Sequence, residues 1–260
     1  MDTIKIGTIN LQNNKINRNG GLKENGIDNA IILANHIEEE KYDILGTQEL
    51  TRNFINRITP NLKNFKLYGN YRYGDSILAR KIKFINDFNE TNSIITNHIA
   101  LKEETINLPF IPNNIKDLVE SITKGSIMPR IATILMTEID NQRICTINTH
   151  LDYQIPSIQI KQLESLKRII NKYISYPIVL TGDFNMEVGT SYFDEFNDYL
   201  IDAGIKRVEI NEKTNSSKFP NTKAIDHIYI PVEWDVEEIG IKELPEVTDH
   251  KEVYVKARLY

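Results

Sequence analysis

The apolar run at residues 176–181 leads directly into the tetrapeptide Gly182-Asp183-Phe184-Asn185. A short apolar run bounded by proline and glycine is typical of a buried strand. Such a strand ends by placing a carboxylate and an amide at the edge of a β-sheet, where they can face a phosphate and a metal. Gly-Asp after a strand is usually only a turn, so the tetrapeptide alone indicates little. It becomes informative because other strand-like segments of this chain also end in polar clusters.

Five such clusters occur along the chain. They are Asn10, Gln48-Glu49, His150 with Asp152, Asp183 with Asn185, and Asp226 ahead of Asp249-His250. If these ends converge, the carboxylates of Glu49, Asp183, Asp226 and Asp249 share one pocket, and the four cannot all stay ionised without a compensating cation. Carboxylate and amide oxygens favour Mg²⁺ or Mn²⁺ over zinc. The pattern therefore predicts a divalent-metal site.

The periodicity of apolar residues predicts an alternation of strands and helices. Helices are predicted at residues 22–40, 157–173 and 191–203, and long irregular segments at 102–128 and 211–223, either of which could be an active-site loop or surface decoration. Strands are predicted at 4–11, 42–46, 65–68, 76–79, 131–139, 143–148, 224–230, 236–241 and 253–259. Strands come singly with helices at first and then in hairpin-like pairs. That order favours two packed sheets covered by helices over one doubly wound parallel sheet.

Length and composition narrow the class of protein. The chain of 260 residues is long enough for one large domain. Its formal charge of −5 argues against a protein that binds nucleic acid through its net charge. A local basic groove is still compatible with that charge. The single cysteine, Cys145, excludes an intrachain disulfide and a thiolate metal cluster. Neither a leader peptide nor a membrane-spanning run is visible, so we expect a cytoplasmic protein.

The ordered motifs resemble the endonuclease/exonuclease/phosphatase superfamily, which has the deoxyribonuclease I-like fold. They are Asn10, Gln48-Glu49, Tyr73-Gly74-Asp75-Ser76-Ile77-Leu78, Arg130, Asn148-Thr149-His150-Leu151-Asp152, Gly182-Asp183-Phe184-Asn185, Ile225-Asp226-His227-Ile228 and Thr248-Asp249-His250. The chain is similar to generic bacterial members that carry His-Leu-Asp. The resemblance implies an α+β fold in one domain over residues 1–260: a four-layer α/β/β/α sandwich with two mixed β-sheets packed face to face and flanked by helices.

The resemblance also implies roles for individual residues. Glu49 matches the principal metal-binding glutamate, with Asn10 and Asp249 completing the metal site for Mg²⁺ or Mn²⁺. The catalytic residues implied are His150, Asp183, Asn185, Asp226 and His250. Within that set, Asp183 and Asn185 orient the attacking water and bind a phosphoryl oxygen, and Asp226 orients His250, which faces the scissile phosphate. Either Asp183 or His250 would take the proton of the water.

Two residues are expected on the substrate side of the site. Arg130 matches a family arginine that adds positive charge near the phosphate. Asp75 stands where many members have asparagine, and we hypothesise that it pairs with His150 and keeps that histidine protonated; the alternative is a simple turn residue. His227 points to the opposite strand face from Asp226, so it is expected either to pack in the core or to support the site from behind.

The function that the resemblance implies is hydrolysis of a phosphoester by in-line attack of water. The leading hypothesis is that the ester is a phosphodiester and the protein a nuclease or phosphodiesterase. The alternative is a phosphatase for a small organic phosphate, such as an inositol or nucleotide phosphate. A third reading, from a different class, is a catalytically silent binding module; the presence of Glu49, Asp183 and His250 argues against it. Nucleic acid is one candidate substrate, and no membrane association or obligatory protein partner is expected.

Overall fold

The computed structural model of the chain describes residues 3–75, 81, 86–112, 114–123, 128–215 and 222–260. In these ranges the strands are Thr3–Asn10 (β1), Ile44–Thr51 (β2), Lys66–Tyr68 (β3), Glu90–Thr96 (β4), Ala100–Leu108 (β5), Arg130–Ile139 (β6), Gln142–His150 (β7), Ile178–Asp183 (β8), Ile205–Arg207 (β9), Asp226–Pro231 (β10), Asp235–Glu243 (β11) and Lys251–Arg258 (β12). The helices are Lys15–Arg18 (α1), Asn29–Glu40 (α2), Arg52–Ile58 (α3), Ile115–Thr123 (α4), Pro156–Tyr173 (α5) and Ser191–Asp202 (α6). A short 3-10 turn spans Thr59–Asn61.

The strands form two six-stranded sheets. The first has the order β11-β12-β1-β2-β4-β3 and the second β5-β6-β7-β8-β10-β9. Both are mixed: β1 and β2 run parallel, as do β7 and β8, while the other neighbours are antiparallel. This arrangement confirms the predicted sandwich of two mixed sheets.

Three apolar layers separate the sheets from each other and from the helices. Strand β8 shows why, because side chains alternate between its two faces. Val179 packs between the two sheets, whereas Ile178 and Leu180 pack against α5 and α6. Helices α2 and α3 cover the outer face of the first sheet in the same manner. Each fully buried side chain of this kind contributes about 1.5–3 kcal/mol to folding, so the layers hold the strand ends of the site in fixed positions.

The helix predicted from residue 22 begins later, at Asn29. The Asp28 carboxylate accepts hydrogen bonds from the backbone N–H groups of Ala30 and Ile31 and so caps the first turn of α2. Just before it, Gly26 adopts a φ of 84°, which a helix does not allow. The predicted helix therefore starts too early, because the backbone becomes helical only after Asp28.

The predicted irregular segment at 102–128 is wrong over most of its described part. It contains strand β5 and helix α4, which together span Ala100–Leu108 and Ile115–Thr123. Among the described strands β5 pairs only with β6, and it exposes charged residues such as Lys102 and Glu103, which hid its strand character. The strand Glu90–Thr96 was missed too, because it buries polar residues on both faces. The strand predicted at 76–79 lies outside the described residues.

The described helices include none that is long and apolar enough to cross a membrane.

Candidate active site

Apart from Asp75, the predicted site residues lie at one edge of the sandwich. Strands β1, β2, β7 and β8 all direct their carboxyl ends to this edge, because each sheet contains one parallel pair. The antiparallel strand β10 begins there, and β12 begins there one residue after His250. The edge lines a cavity of about 240 Å³. Among the residues that line it are Asn10, Glu49, His150, Asp183, Asn185 and His250.

Glu49 reaches the cavity because of an irregularity in β2. The pairing of β2 with β4 shifts register between Thr47 and Leu50, and Glu49 adopts a φ of 62°. A bulge re-aims the side chain of the extra residue, and a left-handed conformation at a residue other than glycine costs about 1–3 kcal/mol. Such strain is concentrated at functional sites.

Asn10 joins two acidic side chains that belong to different sheets. Its Nδ2 donates to Oε1 of Glu49 at 3.1 Å and to Oδ2 of Asp183 at 2.9 Å, while its Oδ1 accepts from the backbone N–H of Gln12 at 2.9 Å. The backbone N–H of Asn13 donates to the other oxygen of Glu49. In this arrangement Asn10 orients the Glu49 and Asp183 carboxylates with its amide nitrogen.

A buried polar network behind the site ties the two sheets together. The Nε2 of Gln48 donates to Oδ1 of Asn148 at 2.7 Å, and Asn148 donates to the backbone carbonyls of Thr47 and Ser93, each at 2.9 Å. Gly46 leaves room for this network, since a Cβ there would lie 2.7 Å from the same Asn148 oxygen. The network fixes the distance between the strands that carry Glu49 and His150.

The tetrapeptide of β8 forms the floor of the cavity. Oδ1 of Asp183 accepts from the backbone N–H of Asn185 at 2.9 Å, and Asn185 turns the chain with a φ of 53°. The Nδ2 of Asn185 donates to the Leu151 carbonyl at 3.1 Å, which uses one of its two amide hydrogens. Gly182 is required by space, because a Cβ there would lie 2.2 Å from the carbonyl oxygen of Thr149.

His250 is held by a buried carboxylate. Its Nδ1 lies 3.1 Å from Oδ2 and 3.3 Å from Oδ1 of Asp226, and its Nε2 lies 3.9 Å from Oδ2 of Asp183. The hydroxyl of Thr214 donates to Oδ2 of Asp226 at 2.6 Å. Burial alone would lower the pKa of His250, but the charge and hydrogen bond of Asp226 and the charge of Asp183 raise it to about 10. The imidazolium form is therefore favoured.

Four carboxylates interact electrostatically with the ring of His250, namely those of Glu49, Asp183, Asp226 and Asp249. Burial, and then the charge of Asp226, raises the pKa of Asp183. The pKa of the Asp249 carboxyl is also raised, first by burial and then by the charges of Glu49 and Asp226. Ligand atoms of Asp183, Asp226 and His250 lie within 4.8 Å of one another. The charged ring of His250 does not donate to a metal, and Asp226 is engaged with that ring. The carboxylate oxygens of Glu49 and Asp249, whose charges interact, fit a hard divalent cation.

His150 has different surroundings from those expected. Its Nδ1 lies 3.9 Å from Oε1 of Glu49, and its Nε2 lies 3.8 Å from Oδ2 of Asp183. Burial, followed by the charges of Arg130 and Arg72, lowers its pKa well below the ordinary value. The neutral imidazole is therefore favoured.

The predicted pair of Asp75 with His150 is wrong. Asp75 forms its ion pair with Arg52, which begins α3 directly after β2 and stacks on the ring of Tyr71 at 4.3 Å. The side chain of Asp75 is half exposed. The sequence could not reveal this pairing, because Arg52 belongs to none of the motifs and lies far from Asp75 along the chain. The substrate-binding role of Asp75 remains a prediction.

Arg130 and a second arginine lie on the side of the cavity away from His250. Arg130 begins β6 and is buried; burial and the nearby charge of Arg72 lower its pKa. The Nη1 of Arg72 lies 3.1 Å from Oε2 of Glu90, which begins β4. Sequence reasoning missed Arg72, Glu90 and Thr214. Only Thr214 had a signal, since it lies in the polar segment 211–223.

His227 is a packing residue, one of the two roles predicted from strand alternation. It lies in the outer layer, where its ring packs edge-on against Phe184 at 5.6 Å and its Nε2 contacts the carbonyl oxygen of Met186 at 2.9 Å. Burial lowers its pKa to about 4.

Structural comparison finds the same fold in proteins of distant sequence. An endonuclease/exonuclease/phosphatase from Bacteroides vulgatus superposes with a TM-score of 0.77 at 18% identity, covering 100% of both chains. A mannosyl-6-phosphatase from Bacteroides thetaiotaomicron gives 0.74 at 17% identity, covering 98% of this chain and 100% of the other. D. rerio TDP2 complexed with a single-stranded DNA product gives 0.69 at 12% identity over 100% of both chains. At these identities the likeness shows the fold alone.

Sequence comparison identifies the family. No curated protein sequence matches the chain. The model of the endonuclease/exonuclease/phosphatase family matches residues 7–250, which include the site residues from Asn10 to His250. Members of this family are divalent-metal-dependent phosphoesterases, among them nucleases and phosphatases. The protein described by this sequence therefore belongs to the endonuclease/exonuclease/phosphatase family.

Proposed function

We propose that this chain hydrolyses a phosphodiester with Mg²⁺ or Mn²⁺ as its cation. The observation that carries the proposal is the bridge of Asn10 between Glu49 and Asp183, beside the paired side chains of Asp226 and His250. These contacts support an arrangement around one cavity in which an acidic corner would bind the metal, a carboxylate would orient water and an imidazolium would face the phosphate. Those are the groups that in-line attack of water on phosphorus requires.

Glu49 and Asp249 would hold the cation, with Asn10 orienting Glu49. Asp226 already accepts a hydrogen bond from Thr214 and contacts His250, so its role is to orient the histidine and not to bind the metal. When bound, the cation supplies Lewis-acid polarisation of a phosphoryl oxygen and stabilises the leaving oxygen.

The protein's own side chains would handle water and protons. Asp183, fixed by Asn10 and by the backbone of Asn185, orients the water and takes its proton, a step typically worth 10²–10⁴-fold. His250 presents its Nε2 to the phosphate as a cation, because Asp226 occupies its Nδ1. The amide hydrogen of Asn185 that is not donated to Leu151 donates to the phosphoryl oxygen on which negative charge develops. Neutral His150 contributes a hydrogen bond on the same side as Arg130.

A phosphatase acting on a small organic phosphate is the second candidate. The compact cavity of about 240 Å³ favours it, since a polymer substrate would extend well beyond such a space. The mannosyl-6-phosphatase among the similar structures shows that the fold accommodates this activity.

Turnover of two chromogenic substrates separates the candidates. Purified protein with Mg²⁺ would be given bis-p-nitrophenyl phosphate and p-nitrophenyl phosphate, followed by plasmid, single-stranded oligonucleotide and RNA. Faster release from the diester supports the proposal. Release from the monoester alone, with free phosphate as product, supports the phosphatase, and the absence of turnover on every ester contradicts both.

A further inference from the structure

The cavity is divided into an acidic half and a basic half. In the first sheet β1 and β2 carry Asn10 and Glu49, and His250 directly precedes β12. Strand β4 lies farther along this sheet and begins at Glu90, the partner of Arg72. In the second sheet β8 and β10 carry Asp183 and Asp226, whereas β6 on the other side of β7 carries Arg130. Arg130 and Arg72, which lies between β3 and β4, thus meet beside His150, away from the Asp226–His250 pair.

Arg130 is buried without a carboxylate beside it among the described residues. Its side chain is 7% exposed and lines the cavity, yet its Nε has no hydrogen-bond partner in the part of the chain that the structure describes. Within the described ranges no carboxylate lies within ion-pair distance of its guanidinium. The charges of Asp152, Glu90 and Glu49 stabilise the guanidinium from beyond ion-pair distance, but burial still makes its charge costly. An anionic ligand at this position would remove that cost.

Two more arginines continue the same surface. The Nε of Arg72 donates to the carbonyl of Phe88 at 2.6 Å, and Arg18 stacks on the ring of Phe88 at 4.6 Å. Arg18 donates to the side chain and the carbonyl of Asn13, at 3.0 and 3.2 Å, rather than to a carboxylate. Of the three guanidiniums, only that of Arg72 has an ion-pair partner in the part of the chain that the structure describes, namely Glu90. The surface therefore carries a net positive charge.

We propose that Arg130, Arg72 and Arg18, with Phe88 between the last two, bind a second phosphate group of the substrate next to the one that is hydrolysed. We call this surface the arginine wall. Guanidinium groups suit this role because their forked N–H donors match two oxygens of a phosphate. The second phosphate is either the other phosphate of a small bisphosphate or the next linkage of an oligonucleotide. The inference rests on the proposed function, since it extends the same site.

The test compares esters that differ only in the second phosphate. Three substrates release p-nitrophenol from the same 5′ ester: thymidine 5′-(p-nitrophenyl phosphate), its 3′-phosphate, and the analogue extended by a 3′-linked thymidine. With Mg²⁺, the wild-type protein is expected to show a kcat/KM about 10- to 100-fold higher when a second phosphate is present, the effect of one charge-assisted interaction. Preference for the 3′-phosphate identifies a small bisphosphate, and preference for the extended ester identifies an oligonucleotide.

Variants assign the effect to the wall. Arg130→Met is expected to reduce the preference at least 10-fold, and Arg18→Met at the rim to reduce it less. The matched control is Arg143→Met, which replaces an exposed arginine at the far end of β7 and should keep the wild-type preference. Equal kcat/KM for all three esters in the wild type, or an unchanged preference in Arg130→Met, would contradict the proposal.

A binding measurement keeps the test independent of turnover. In titration calorimetry, thymidine 3′,5′-bisphosphate is expected to bind the wild type at least about 10-fold more tightly than thymidine 5′-monophosphate, and Arg130→Met to bind both equally. Equal affinities in the wild type would overturn the arginine wall. Absent turnover with this binding preference intact would overturn the proposed hydrolysis instead.

Discussion

The Nδ1 atom of His250 lies 3.1 Å from Oδ2 of Asp226, and both side chains are buried at the cavity. The carboxylate fixes the orientation of the ring, leaves Nε2 for the substrate and favours the imidazolium. Strand β10 supplies Asp226 and the segment before β12 supplies His250, so the pair also joins the two sheets.

Replacing Asp226 with asparagine should remove the charge of this pair but preserve its shape. We expect Asp226→Asn to lower kcat by about 100-fold or more with a smaller change in KM, because the imidazolium is no longer stabilised when the phosphate reacts. The pKa of His250, followed by NMR of its ring, should fall. Asp198→Asn, on the exposed surface of α6, is the control and should leave both quantities unchanged. A normal kcat in Asp226→Asn would contradict the role given to the pair.

The hydroxyl of Thr214 is predicted to act on His250 through Asp226. Thr214→Val removes the donor that lies 2.6 Å from Oδ2 of Asp226 and is expected to lower kcat about 10-fold, the value of one hydrogen bond to a charged group. Thr146→Val is the matched control, because Thr146 is equally buried and its Oγ1 has no hydrogen-bond partner in the described structure. Steady-state kinetics of both variants measure the two kcat values to be compared. If the two retain the same kcat, Thr214 has only a structural role.

Gly182 should tolerate no side chain. Gly182→Ala places a Cβ 2.2 Å from the Thr149 carbonyl at the junction of β7 and β8, and we expect a loss of roughly 3 kcal/mol in unfolding free energy. Gly26→Ala is the control: Gly26 also has a positive φ, but nothing lies within 4 Å of the added Cβ, so the expected loss is about 1 kcal/mol. Urea denaturation measures both, and equal losses would show that crowding at Thr149 is unimportant.

Acidification should destabilise the protein through His227. Its pKa is about 4 in the folded state against an ordinary value of 6.5, because burial disfavours the charged ring. Above pH 6.5 both states hold it neutral. As the pH falls from 6.5 to 4, the unfolded state binds the proton first, so stability is lost over that window, by roughly 3 kcal/mol at most.

His227→Gln isolates this contribution, since glutamine does not titrate and its amide reaches the same carbonyl of Met186. Urea denaturation at pH 7 and at pH 4.5 should show a smaller stability loss in the variant than in the wild type. Identical losses would mean that His227 does not control this part of the acid response.

The residues of the site were predictable where they end strands. Glu49 and Asp183 follow apolar runs, and parallel strands bring their carboxyl ends to one edge. The arginines were harder to predict. Arg72 follows no periodic pattern, and its partner Glu90 begins a strand whose polar residues are satisfied by tertiary contacts, such as the 2.7 Å hydrogen bond from Asn92 to the carbonyl of Ile131. Such pairings depend on the packing of two sheets, which local sequence does not encode.

Turnover as a function of Mg²⁺ concentration, in wild type and in Glu49→Gln, tests whether Glu49 holds a catalytic metal. The substrate is bis-p-nitrophenyl phosphate, and Glu195→Gln, an exposed carboxylate change on α6, is the matched control. Wild-type turnover is expected to saturate with Mg²⁺ and to cease with a chelator. Glu49→Gln is expected to lose about 100-fold or more of the activity, and the control none. Full turnover in Glu49→Gln, or in chelator-treated wild type, would contradict a catalytic metal at Glu49.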